Sequence, residues 1–216
     1  MGIDKLELEQ GNVYALVGRN GIGKSTLLQT MTKIIPLLSG EILYEGVAIE
    51  KLTGNQMSRL IAYVESKFDG VEYLSVFDYL SLGRAPYTSL TGKLSSVDKQ
   101  IVNEITSDLK IAHLLEKNTN NISDGERQIC AVARALIQET PIILMDEPTA
   151  FLDYINRQKL IEILARIAKE KQKCILMSTH DIDLCIENKI PFLIASKGKV
   201  TLEACDGKSR LIEKMS

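Results

Sequence analysis

Short apolar runs that end in polar loops recur along the chain, each followed by a stretch with apolar residues at helical spacing. The runs cover residues 13–17, 142–145, 174–177 and 192–195. Unbroken apolar runs suit strands buried on both faces, as in parallel sheets between helices, so the alternation predicts an α/β fold with a mainly parallel sheet. Helices are expected over 24–35, where Pro36 would end the first, over 126–138 and over 155–171. Each carries an apolar stripe to lay against the sheet.

From residue 68 to residue 121 the strand pattern gives way to a helical one, over 76–82 and 98–115, separated by a Gly-, Pro- and Ser/Thr-rich loop over 83–96. The expected layout is one domain over 1–216, with a core of 1–67 and 122–216 and a helical lobe of about 68–121. Residues 40–49 alternate like a small antiparallel β hairpin, with Glu45-Gly46 at its turn.

Composition narrows the class. The 216 residues are 45% hydrophobic and 25% charged, enough for one substantial core. The net charge of −2 provides no basic field, so nucleic acid is not an expected partner. No apolar stretch is long enough to span a bilayer, and residues 1–10 lack the layout of a signal peptide, so the chain reads as cytoplasmic. Cys130, Cys174, Cys185 and Cys205 form no CxxC pair and are expected as free thiols.

Gly18-Arg19-Asn20-Gly21-Ile22-Gly23-Lys24-Ser25-Thr26 fits GxxxxGK[ST], between an expected strand and an expected helix. Such a loop turns successive backbone N–H groups around phosphate oxygens. Lys24 would reach the β and γ phosphates, and Ser25 would offer a hydroxyl to Mg²⁺. The competing reading is a Gly-rich turn that merely starts a helix.

The run over 142–145 ends in Asp146-Glu147, which puts two acids at the carboxyl edge of a buried strand, where ligands gather in open α/β sheets. Asp146 suits Mg²⁺ and Glu147 suits alignment or deprotonation of an attacking water. Ser178-Thr179-His180-Asp181 follows another strand, so His180 falls at the same edge and could bond the γ phosphate. His113 lies in a helical pattern and reads as structural or solvated.

Ile122-Ser123-Asp124-Gly125-Glu126-Arg127-Gln128 resembles the signature sequence of ABC ATPases, usually Leu-Ser-Gly-Gly-Gln, and Pro148-Thr149-Ala150-Phe151-Leu152-Asp153 resembles the segment after their paired acids. The resemblance covers nearly the whole chain and implies a P-loop NTPase of ABC ATPase type. It implies that Ser123, Asp124, Gly125 and Glu126 face the γ phosphate held by a second protomer, that Asp153 crosses towards that protomer, and that the chain forms a homodimer on ATP binding. Locally, Ser123 and Glu126 also make the SxxE pattern that starts a helix. Asp124 departs from the usual glycine, which is tolerable if Gly125 keeps a close backbone approach.

Two departures go deeper. The family carries two strands and an adenine-stacking aromatic ahead of the phosphate loop; here Met1 lies too close to Gly18 for both, and Tyr14 reads as core. Where the family reads Val-Pro-Gln, with the glutamine on Mg²⁺, this chain reads Val64-Glu65-Ser66, so Glu65 or Ser66 is the expected substitute.

Leu80-Ser81-Leu82-Gly83-Arg84-Ala85-Pro86-Tyr87, followed by Ser95-Ser96-Val97-Asp98, resembles the helical lobe of importers for iron siderophores, haem and vitamin B12. That resemblance implies ATP and Mg²⁺ as cofactors, with Lys24, Glu147 and His180 as catalytic groups. It also implies integral-membrane permease subunits as partners and, through them, an extracytoplasmic binding protein, with the chain held on the inner face of the membrane. The rival reading is a nucleotide-gated, non-transport binding module or a weakly hydrolysing regulatory subunit.

Overall fold

The computed structural model describes residues 3, 5–89 and 92–203. Cys205 lies outside the described residues. Six strands form one sheet in the order β4-β5-β6-β1-β7-β8: β1 Val13–Gly18, β4 Ile61–Val64, β5 Ile142–Asp146, β6 Cys174–Ser178, β7 Phe192–Ser196 and β8 Lys199–Glu203. All neighbours pair parallel except β7 and β8. Each apolar run read from the sequence is a strand, extended by one residue at its polar end. Two strands of this sheet, β4 and β8, do not follow from the pattern of apolar runs.

Successive side chains on a strand point to opposite faces, and here both faces are covered. Val13, Ala15, Val17, Ile143, Met145, Ile175 and Met177 face one core layer. That layer is closed by α3 Val76–Ser81, α4 Ser96–Asp108, α5 Asp124–Ile137, α6 Tyr154–Glu170 and α7 Ile182–Glu187. Tyr14, Leu16, Leu144 and Leu176 face the other, against Leu28 of α1 Lys24–Met31 and Met57 of α2 Gly54–Leu60. The expected hairpin closes this side as β2 Leu43–Tyr44 and β3 Val47–Ala48, with Glu45 and Gly46 at φ 49° and 79° in its two-residue turn. Tyr14 is 5% exposed and its hydroxyl accepts from the Glu9 N–H at 3.0 Å, which makes it a core residue.

Helix ends depart from the pattern more than helix starts. The first helix stops at Met31, not at residue 35: Lys33 turns to φ 62°, and the N–H groups of Lys33 and Ile34 bond the Thr30 and Gln29 carbonyls. This is a Schellman stop, made without glycine. The helix expected over 98–115 runs Ser96–Asp108 and closes in the same way at Lys110, φ 57°, with a separate 3₁₀ turn over Ala112–Leu114 that leaves His113 exposed. The loop expected over 83–96 begins with a 3₁₀ helix, Leu82–Tyr87, because Arg84 is buried there and bonded to Asp98 and to the Ile137 carbonyl.

Candidate active site

Strand β1 is buried along its length and delivers the chain to the loop at Gly18, where a Cβ would stand 2.6 Å from the Ala195 carbonyl oxygen. Gly21 and Gly23 take φ 77° and 102°, which bend the loop back to start α1. No side chain caps α1 and no acid lies in its first turn. A helix start of that kind presents backbone N–H groups and positive potential to an anion. Lys24 is 7% exposed, and its amine donates to the Gly18 carbonyl at 3.0 Å. Arg19, Asn20, Gly21, Ser25 and Thr26 are exposed, while Ile22 packs on the adjoining core layer. Backbone donors, a lysine and an open, glycine-rich cradle suit a polyphosphate.

The acids stand beside this loop. Asp146 pairs in register with Ser178, and its Oδ1 accepts from the Ser178 hydroxyl at 2.5 Å. The same hydroxyl accepts from the Glu147 N–H at 2.9 Å. Glu147 turns to φ 48° and its Oε1 lies 2.9 Å from His180 Nε2. Asp181 accepts from the Thr149 hydroxyl at 2.6 Å and from Arg157 at 3.0 Å, tying the loop after Glu147 to α6 and to the end of β6. Ser178, Thr149, Asp181 and Arg157 carried no role in the sequence. The first three lie in quoted motifs, but only the β5–β6 register shows which of them meet.

Ser123 caps α5 with a full capping box: its hydroxyl accepts from the Glu126 N–H, and Glu126 accepts from the Ser123 N–H at 2.8 Å. That backbone bond, with the Ser123 hydroxyl adding, holds the Glu126 carboxyl below its usual range. Asp124 is ion-paired to Arg127. At Gly125 a Cβ would meet the Phe151 carbonyl oxygen at 2.9 Å, so the turn packs on the loop that follows Glu147. Asp153 caps α6 by accepting from the Asn156 N–H at 2.9 Å.

Glu65 and Ser66 are exposed where the chain leaves β4. Glu65 lines a groove of about 500 Å³ together with Met57, Tyr63, Phe68, Tyr79 and Arg134. Tyr63 stands within electrostatic reach of Asp146: burial first, and then the charge of Asp146, push its phenol up to about 12, against a hydrogen bond with Gln29. For a hard cation this sheet edge offers Asp146, held by Ser178, with Ser25 on the neighbouring helix start, a donor set of the right kind for Mg²⁺. Cys130, Cys174 and Cys185 are buried, and burial raises the Cys130 thiol to about 12 and the Cys174 thiol to about 11. Among the described residues no group of three or more His, Cys, Asp or Glu could hold a metal, and no helix is long and apolar enough to cross a membrane.

Comparison with known proteins bears on this geometry. The ABC transporter family model matches residues 3–150. An uncharacterised ABC transporter ATP-binding protein of Methanocaldococcus jannaschii is 37% identical over 181 residues, 84% of this chain and 62% of that protein. The iron(3+)-hydroxamate import ATP-binding protein of Bacillus subtilis is 31% identical over 198 residues, 92% of this chain and 74% of that protein. The chain thus spans less than two thirds of the first relative and about three quarters of the second. A metal-chelate type ABC transporter in an inward-facing conformation superimposes with a TM-score of 0.81 at 26% identity, over 97% of this chain and 79% of that one. A dimeric ATP-binding cassette bound to ADP and Pi shares the fold, with a TM-score of 0.81 at 24% identity over 94% of this chain and 89% of that one.

Proposed function

The chain belongs to the ABC transporter family, and on that premise we propose that it is the ATP-binding and ATP-hydrolysing subunit of an importer. The observation that carries the reading is the convergence at one sheet edge of an uncapped helix start, a buried lysine, and two acids joined through Ser178. The loop amides and Lys24 neutralise phosphate charge and orient the terminal phosphoryl group. Asp146 and Ser25 are the residues that would hold Mg²⁺, which would supply neutralisation of the phosphate charge. Glu147 orients the attacking water and accepts its proton, and His180, already 2.9 Å from that carboxylate, steadies it and faces the phosphoryl group.

In the same reading two protomers close over two nucleotides. The turn of Ser123, Asp124, Gly125 and Glu126 and the residue Asp153 then complete the site of the opposite protomer, while Glu65 or Ser66 approaches the cation from the β4 exit. Residues 68–121 form the lobe that engages integral-membrane permease subunits, which hold the chain at the cytoplasmic face and act with an extracytoplasmic binding protein. The names of the relatives support an iron complex as cargo, with cobalamin as the alternative chelate. Glu147→Gln tests the core of this reading: it keeps ATP binding and loses about a thousandfold in turnover, measured as Mg²⁺-dependent phosphate release beside equilibrium nucleotide binding. Undiminished turnover removes Glu147 from its role.

A further inference from the structure

The far end of the loop that leaves β4, from Gly70, and the start of α3 are stitched to the segment ahead of the 123–126 turn. The Phe77 and Val76 N–H groups donate to the Leu115 and Lys117 carbonyls, and the Thr119 N–H donates to the Leu74 carbonyl. Thr119 ends this seam. Its hydroxyl donates to the Val71 carbonyl at 2.8 Å and accepts from the Val71 N–H at 2.9 Å, while the residue itself is fully buried. At Gly70, φ 79°, a Cβ would stand 2.9 Å from the Thr119 carbonyl oxygen, so the two backbones touch directly.

Beyond Thr119 the contacts continue through one side chain. Arg127 donates from Nη1 to the Ile122 carbonyl at 2.7 Å, with a longer contact to the Thr119 carbonyl at 3.4 Å, and from Nη2 to Asp124. The guanidinium therefore joins the end of the seam to the residues on either side of Ser123. Asp124, where the family has glycine, supplies the carboxylate that fixes it. At the other end of the loop, Arg134 of α5 donates to the Tyr63 carbonyl at 2.9 Å, so the stem is held by the same helix that Ser123 starts.

We infer that Thr119 is a positioning residue that locks the β4-exit loop and the 123–126 turn into one mechanical unit, with Arg127 as the joint and Asp124 as its anchor. A displacement of the loop between Tyr63 and Val71 is carried towards Ser123, because a break at Thr119 would leave its fully buried hydroxyl unpaired. The consequence for catalysis rests on the ATPase reading above; the mechanical unit does not.

Thr119→Val removes the hydroxyl at nearly constant shape, and Thr119→Ser keeps it. In amide hydrogen exchange on the full chain, Thr119→Val raises exchange about tenfold in both 66–74 and 122–126, and Thr119→Ser matches the wild type. A rise confined to 66–74, or wild-type exchange in both segments, overturns the inference. Should Thr119→Val not fold, Asp124→Gly decides on its own: Asp124 is exposed, and its loss frees Arg127. It is expected to loosen both segments, and a rise confined to 122–126 overturns the joint. In ATP hydrolysis Thr119→Val lowers kcat about fivefold with KM for ATP within about twofold, and Thr119→Ser restores kcat. Unchanged kcat in folded Thr119→Val overturns the catalytic consequence, whereas a wild-type chain that hydrolyses no ATP overturns the proposed function and leaves hydrogen exchange to decide the unit.

Discussion

Ser178 stands opposite Asp146 across the β5–β6 pair and serves both acids, donating to the Asp146 carboxylate and accepting from the Glu147 N–H. Removing such an outer partner of a metal-binding carboxylate costs about 10- to 100-fold in metal affinity or activity. On the proposed role of Asp146, Ser178→Ala is expected to raise the Mg²⁺ needed for half-maximal hydrolysis about tenfold, with nucleotide binding in the absence of Mg²⁺ unchanged. A Mg²⁺ titration identical to the wild type would show that Asp146 keeps its orientation by other means. The placing of Lys24, Asp146 and Glu147 at one sheet edge is legible in the sequence because each stands beside a local signal: a glycine pattern, or the end of an apolar run. The partnership of Ser178 is not, since it depends on register between strands more than 30 residues apart. The same holds for Asp181, which meets Thr149 and Arg157 only in the folded chain.

Secondary-structure elements show the same divide between local and non-local causes. Helix starts are written in the residues that make them: Ser95 with Asp98 and Ser123 with Glu126 form capping boxes, and Asp153 caps α6. Helix ends are not, because Lys33, Lys110, Glu139, Gln172 and Lys189 take positive φ at positions where glycine is the usual signal. The first two explain why the expected helices overran. An L-residue in that conformation carries a cost of about 1–2 kcal/mol that glycine avoids, partly offset by the greater freedom of glycine in the unfolded chain. Lys110 is exposed, and its side chain is not needed for the stop. Lys110→Gly is thus expected to stabilise the protein by about 0.5–1 kcal/mol, a rise in Tm of about 2–3 °C for a chain of this size. A lower Tm would mean that the Lys110 side chain contributes more than its backbone strain costs.

On the scale of the whole molecule, residues 68–121 do not stand apart from the sheet. Val76, Leu80, Val102, Ile105 and Leu114 belong to the same buried cluster as Val64, Met145 and Met177, so the helical segment and one sheet face share a core. Arg84 locks that union. It donates to Asp98 at 2.7 Å, and to the Ile137 carbonyl and Glu139 at 2.9 Å each, with its guanidinium 4.3 Å from the centre of the Tyr87 ring. The Asp98 carboxyl is held below its usual range by the Ser95 hydroxyl first, then by the Ser95 N–H and Arg84, against the effect of burial. A carboxylate whose folded pKa is depressed contributes stability that is complete above the unfolded pKa and is lost as pH falls through the folded value. Asp98→Asn leaves the buried Arg84 without its counter-charge and is expected to cost about 3 kcal/mol at pH 7. The gap in Tm between wild type and variant should then close progressively below about pH 4, as the wild type also loses the charge. With one shared core, far-ultraviolet circular dichroism and tyrosine fluorescence, to which this segment contributes Tyr73, Tyr79 and Tyr87 of the seven tyrosines, should report a single coincident transition in both proteins. An Asp98→Asn variant in which part of the tyrosine signal melts ahead of the rest and of the circular dichroism would show instead that Arg84 guards the helical segment alone, and that the shared apolar cluster is too weak to make the two parts unfold together.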